Sequence, residues 1–124
     1  MREVQEMEAK ALSRYQRVSA KKINRILELI RGRDVPEAFN ILTFLAKPTK
    51  QGVLKTLNSA VANAIVLGGK AKLSEKDLYV KEAVVNGGPM MKRWQAGPRG
   101  SASIIRRRTC HIYIVVASKE GVKK

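Results

Sequence analysis

From Asn86 to His111 the chain runs through twenty-six residues without a single Asp or Glu, and this stretch limits the fold more than any other feature. It carries Lys92, Arg93, Arg99, Arg106, Arg107 and Arg108 among small residues (Gly87, Gly88, Gly97, Gly100, Ser101, Ala102 and Ser103), with one aromatic, Trp94. It is flanked by two strand-like runs, Leu78–Val85 and Ile112–Val116, rich in β-branched side chains. Such a long unstructured loop is uncommon in a small domain unless it is functional or disordered. The alternative is a hairpin in which both strands continue outward, each arm of about a dozen residues reaching about 40 Å. In a strand Arg106 and Arg108 would face one way and Arg107 the other. An arm charged on both faces cannot lie against a core; it is in water or among phosphates. Trp94 is placed either to stack on a base or to cover the hairpin's own backbone.

The rest of the chain is helical in pattern before it turns to strand. Ser19 is suited to cap a helix whose apolar face is Ile23, Ile26, Leu27 and Ile30, with Gly32 as its stop. Lys21 and Lys22 occupy its first turn, where acids are preferred. Phosphate converging with free backbone N–H groups would favour them; a solvated pair is the alternative. Asp34-Val35-Pro36-Glu37 has the spacing of a capping box opening a second helix, with Ala38, Ile41, Leu42 and Leu45 inward and Lys47-Pro48 as the break. A third helix carries Val53, Leu54, Leu57, Ala60, Val61, Ala64 and Ile65 on one face and ends at Gly68-Gly69. Asn58, Ser59 and Asn63 are uncharged hydrogen-bonding groups there, open to RNA, solvent or capping. Ala9 to Val18 reads as an extended arm with Lys10, Arg14 and Arg17 outward, and helix is an alternative for the first ten residues.

The 124 residues fit one domain, and 44% hydrophobic content supports a core. The expected division is a globular part over about 9–86 and 110–118, an arm over about 86–110, and a basic tail over 119–124. Against 10 acidic residues stand 25 Lys and Arg, a formal charge of +15. That is the electrostatic footprint of a polyanion ligand. The fold class expected is α+β: three helices packed on a small antiparallel sheet, with a long protruding β-hairpin.

Other chemistry has little support. Cys110 is the single cysteine and His111 the single histidine, adjacent in a strand with side chains pointing apart, so no metal site or Cys–His couple is expected. Gly87-Gly88-Pro89 is not a dinucleotide fingerprint and no phosphate-binding P-loop occurs. No catalytic residue, cofactor or metal is expected. A lone cysteine favours a reducing compartment, no apolar run reaches membrane-spanning length, and the acidic Glu3, Glu6 and Glu8 argue against a transit peptide.

Several motifs resemble one family. Arg17-Val18-Ser19-Ala20-Lys21-Lys22 and Ile30-Arg31-Gly32-Arg33 are similar to the opening of the bacterial L-twenty-two family of large-subunit ribosomal proteins. Leu57-Asn58-Ser59-Ala60-Val61-Ala62-Asn63-Ala64 resembles its third-helix motif. Leu78-Tyr79-Val80, Gly88-Pro89, Met91-Lys92-Arg93 and Arg107-Arg108-Thr109-Cys110-His111-Ile112 resemble its strands and hairpin, in the same order. The resemblance implies a domain on the subunit surface and a hairpin threaded through large-subunit rRNA, in the cytoplasm as part of the ribosome. It also implies an early role in assembly, bridging several rRNA domains. The family's RNA contacts carry over onto Ser19, Lys22, Arg31, Lys92, Arg93, Arg99, Arg107 and Arg108; Arg17, Lys21, Arg25, Arg106, Thr109 and His111 complete the expected set. A tip of Met91, Lys92, Arg93, Trp94, Gln95, Ala96 and Gly97 is expected to line the nascent-peptide exit tunnel. Neighbouring ribosomal proteins and the nascent peptide are further expected partners; a membrane and a second copy of the chain are not. The sequence departs from the family over Gln95–Ala102, where a Pro-Arg-Ala step and more arginine are usual, at Trp94, where a smaller aliphatic is usual, and at Cys110, in place of serine. From the residues alone, an architectural DNA-binding protein gripping a duplex with a basic β-arm is the rival.

Overall fold

Local signals place the helices of the computed structural model, which describes residues 8–68 and 75–118. The first helix, α1 (Ala20–Ile30), begins at Ser19, whose hydroxyl accepts from the Lys22 N–H, and buries Ile23, Ile26, Leu27 and Ile30. Gly32 follows with φ +73°, the left-handed step that a glycine takes most readily. The second helix, α2 (Val35–Phe44), starts at Asp34 with Pro36 in its first turn, but the capping box does not form. Asp34 makes no side-chain cap bond, and Glu37 is turned to Arg33 at 2.9 Å instead. At the other end Lys50 Nζ donates to the carbonyls of Thr43 and Leu45, a cation on the negative pole of α2. The third helix, α3 (Lys50–Gly68), buries Val53, Leu57, Ala60, Val61 and Ala64. Ile65, expected inward, is 42% exposed. The N-terminal segment 1–7, Gly69 of the helix stop and the basic tail 119–124 lie outside the described residues.

Three strands make the domain's sheet in the order β1-β5-β2, all antiparallel: β1 (Glu8–Gln16), β5 (Cys110–Ser118) and β2 (Leu78–Gly87). The segment expected to be an extended arm from Ala9 is therefore an edge strand, with Lys10, Arg14 and Arg17 exposed as expected. A bulge at Lys81 resets the alternation of β2, so Leu78 and Val80 precede it inward and Ala83 follows. This accounts for the mixed pattern of that stretch. One face of the sheet is covered by helices, α3 across β1 and β5 and α1 across β2. Alanines stand on both sides of the α3–β1 crossing, Ala60 and Ala64 on the helix and Ala9 and Ala11 on the strand, which allows close backbone approach. The core joins these to Ile23, Leu27, Leu42, Leu57, Leu78, Ile112 and Ile114.

Both sheet edges are partly occupied, which limits pairing with other chains. Backbone bonds Gly32 N–H to Val80 O (3.0 Å) and Val80 N–H to Arg33 O (2.9 Å) cover β2. On β1, Asn63 donates to Lys10 O at 3.1 Å. Lys81 and Glu8 form an ion pair linking the two outer strands.

Beyond this sheet the chain forms a separate hairpin, β3 (Met91–Ala96) paired with β4 (Ala102–Arg107). The arm is thus not a simple continuation of β2 and β5. Gly87 pairs with Cys110 and Met91 with Arg107, so Gly88, Pro89 and Met90 stand opposite Arg108 and Thr109 alone. Three residues against two, one of them a proline without an N–H, cannot hold a ladder in register. Two bonds tie this joint instead: Gly88 N–H to Thr109 O at 2.9 Å, and Thr109 Oγ1 to Pro89 O at 2.6 Å. The six-residue strands beyond it span about 20 Å, half the reach expected of uninterrupted arms.

Candidate nucleic-acid interface

The start of α1, the segment before α3 and the root of the outer hairpin enclose an open groove of about 710 Å³. Its lining is Arg17, Val18, Ser19, Lys22, Thr49, Met91, Arg93, Arg106, Arg107 and Arg108: six cations and no acid. By the pairing alternation Met91, Arg93 and Arg107 share one face of the hairpin, and Arg106 reaches the groove from the other. All six cations are exposed, and none has an acidic partner in the hydrogen bonds and ion pairs described. Two unit charges at roughly 8 Å in water repel by about 0.5 kcal/mol. Six together therefore oppose folding modestly and favour an anion strongly.

The helices add to this field. Ser19 precedes α1 and Thr49 precedes α3, and neither helix has an acid in its first turn. Two positive helix ends thus face the same cavity as the arginines of the hairpin. Thr49 is absent from the sequence-based set; the helix start after Pro48 was the available signal.

The other expected residues are elsewhere. Arg31 sits at the far end of α1, about 16 Å along an eleven-residue helix. There it donates to Ala83 O and to Asn24 Oδ1, both at 2.7 Å, and so fastens α1 to β2. Lys21 and Arg25 are exposed on α1 outside the groove lining. Thr109 is buried with its hydroxyl committed to Pro89 O, so it serves the joint. His111 Nδ1 accepts from the Tyr15 N–H at 3.0 Å. Asn63, open to several roles in the sequence, binds β1.

The position of the tip is corrected. Met91–Arg93 lie at the root of the outer hairpin, with Met91 opposite Arg107 and Lys92 opposite Arg106. The turn is Gly97–Ser101, where Gly97 N–H bonds Ser101 O at 2.6 Å and Arg99 and Gly100 adopt positive φ of +57° and +73°. Neither strand alternates in burial, so their pattern does not mark the turn; Gly97-Pro98-Arg99-Gly100 does. Trp94 pairs with Ile104 on the face away from Met91, Arg93 and Arg107, and the two are 71% and 49% exposed. Cys110 is buried in the core, which raises its thiol pKa by desolvation. No group of three or more His, Cys, Asp or Glu suited to a metal occurs among the described residues.

Fold and groove together define a small basic α+β protein suited to hold an extended polyanion on a cationic hairpin. Residues 11–117 match the model of the ribosomal protein L22p/L17e family, and the chain belongs to that family. It is 48% identical over 117 residues to the large ribosomal subunit protein uL22 of Bifidobacterium animalis subsp. lactis, covering 93% of this chain and 98% of that one. It is 44% identical over 115 residues to the uL22 of Thermus thermophilus, covering 93% and 99% respectively. The uL22 of Halothermothrix orenii is 44% identical over 114 residues. Members of this family are structural ribosomal proteins, not enzymes.

Proposed function

We propose that this chain is a structural constituent of the large ribosomal subunit that binds large-subunit rRNA, supports its assembly and lines the nascent-peptide exit tunnel with its hairpin. The carrying observation is the groove: Arg17, Lys22, Arg93, Arg106, Arg107 and Arg108 converge on one cavity with two helix N-termini and no acid. Groups that repel each other in isolation suit a phosphate backbone that neutralises them. The chain works as one domain with its arm. The groove anchors the arm's root, and the turn Gly97–Ser101, with Arg99, is the part that reaches the tunnel and the nascent peptide. Lys92, Trp94 and Ile104 meet RNA or peptide from the arm's other face. Neighbouring large-subunit proteins are further partners, and Val66 and Leu67, exposed at the end of α3, offer them apolar surface. The place of action is the ribosome, in the cytoplasm.

Sedimentation of cell extract through a sucrose gradient, followed by immunodetection, tests this directly. The chain should migrate with large subunits and stay there through a moderate salt wash. Recovery only at the top of the gradient, or with chromosomal DNA, would refute it.

A further inference from the structure

Tyr15 occupies an unusual place in β1, two residues before Arg17 of the groove. β1 pairs Ser13 with Ile112 and Gln16 with Cys110, so Arg14 and Tyr15 bulge opposite His111 alone. Tyr15 has φ +57°, a conformation disfavoured for a bulky L side chain. Its backbone N–H is satisfied by the His111 ring rather than by a strand carbonyl. The two rings meet edge to face, with centroids 4.9 Å apart and planes at 88°. Behind them the histidine backs onto the joint: a Cβ added to Gly88 would stand 3.3 Å from His111 Nε2. All this fixes a ring that remains 63% exposed. A tyrosine needed for the core would be turned inward. Here a disfavoured backbone turns it out.

We propose that Tyr15 is a stacking platform for an unpaired RNA base, adjoining the phosphate groove. An edge-to-face contact with a single ring leaves at least one face of Tyr15 open. Arg14 precedes it, exposed, and Arg17, two residues on, lines the groove. A strand whose phosphates lie in the groove therefore passes within reach of the ring, which can take a base turned out of the stack. Aromatic platforms accept any base, because every base has a π-face. The inference rests on the groove being an RNA site, and the test separates the two.

The full chain is titrated, at one salt concentration, into two fluorescein-labelled probes: a 12-nucleotide oligoadenylate and a 12-base-pair RNA duplex, which offers no unpaired base. Tyr15→Leu and Tyr15→Gly should each weaken oligoadenylate binding about tenfold, while Tyr15→Phe stays within about twofold and all three keep duplex affinity. The glycine variant suits the left-handed backbone, and its thermal midpoint shows that the fold is kept. Full oligoadenylate affinity in both the leucine and glycine variants, or equal loss on both probes, overturns the platform alone. Native protein that binds neither probe overturns the groove and the platform together.

Discussion

Removing Arg106, Arg107 and Arg108 together should change how binding responds to salt, not only how tight it is. The groove holds six cations, and these are three of them. Each phosphate neutralised on a duplex contributes about −0.9 to the slope of log affinity against log salt. Six contacts give a slope near −5.4, so raising salt fourfold, from 50 to 200 mM, weakens binding by about 10³-fold. The triple serine variant keeps three groove contacts, a slope near −2.7, and should lose only about 40-fold over the same range. The control removes equal charge away from the groove, at the exposed Lys10, Lys55 and Lys76. Fluorescence anisotropy on a 20-base-pair RNA duplex across the salt series gives all three slopes. The control should keep the native slope. If the two triple variants shift it equally, binding follows net charge alone and the groove has no special part in it.

Three further outcomes follow from the joint, the arm and the core. Gly88→Ala places a methyl 2.6 Å from the Oγ1 of buried Thr109, and should destabilise the protein by about 1–3 kcal/mol in urea unfolding; an unchanged midpoint would mean the joint yields freely. Amide protons of β3 and β4 should exchange far faster than those of β5 in the free protein, because a two-stranded hairpin with little buried surface is marginal alone; equal protection would contradict this. Burial raises the Cys110 pKa, so its contribution to stability is complete below the unfolded thiol value of about 8.5 and is lost as pH rises through the folded value. Cys110→Ala should therefore lose less stability than the native chain between pH 8 and 10, as read by urea midpoints, and parallel midpoint curves would exclude a role for the thiol.

What the sequence discloses about this fold is what depends on neighbours along the chain. Ser19, Gly32 and the apolar period of α1 are local, and they are where the structure puts them. Tyr15 and the joint are different. The bulge exists because Ser13 and Gln16 find partners on a strand nearly a hundred residues away, and the joint because Gly88 meets Thr109. No local pattern announces either. The six groove cations are each visible as charges, and all belong to the expected RNA-binding set. Their convergence is not visible, because Arg17 and Lys22 reach Arg106–Arg108 only through the β1–β5 pairing and the hairpin's return. Arg31, which the resemblance adds to the RNA-binding set, lies away from the groove, and its bonds to Ala83 and Asn24 give it a structural task as well.

The interruption at Gly88–Met90 also divides what selection can alter cheaply from what it cannot. Inside it, β5 sends Cys110, Ile112, Ile114 and Val116 into the core, and a change at these positions is felt by the whole domain. Beyond it, the strands are nearly all exposed and pair only with each other. Substitutions in β3, β4 and their turn are thus released from the demands of folding and answer to the surroundings of the arm alone. Trp94 and the Gln95–Ala102 segment both lie on the released side. A lineage can retune the far end of this protein, in size, charge or aromatic content, while its foundation is inherited unchanged.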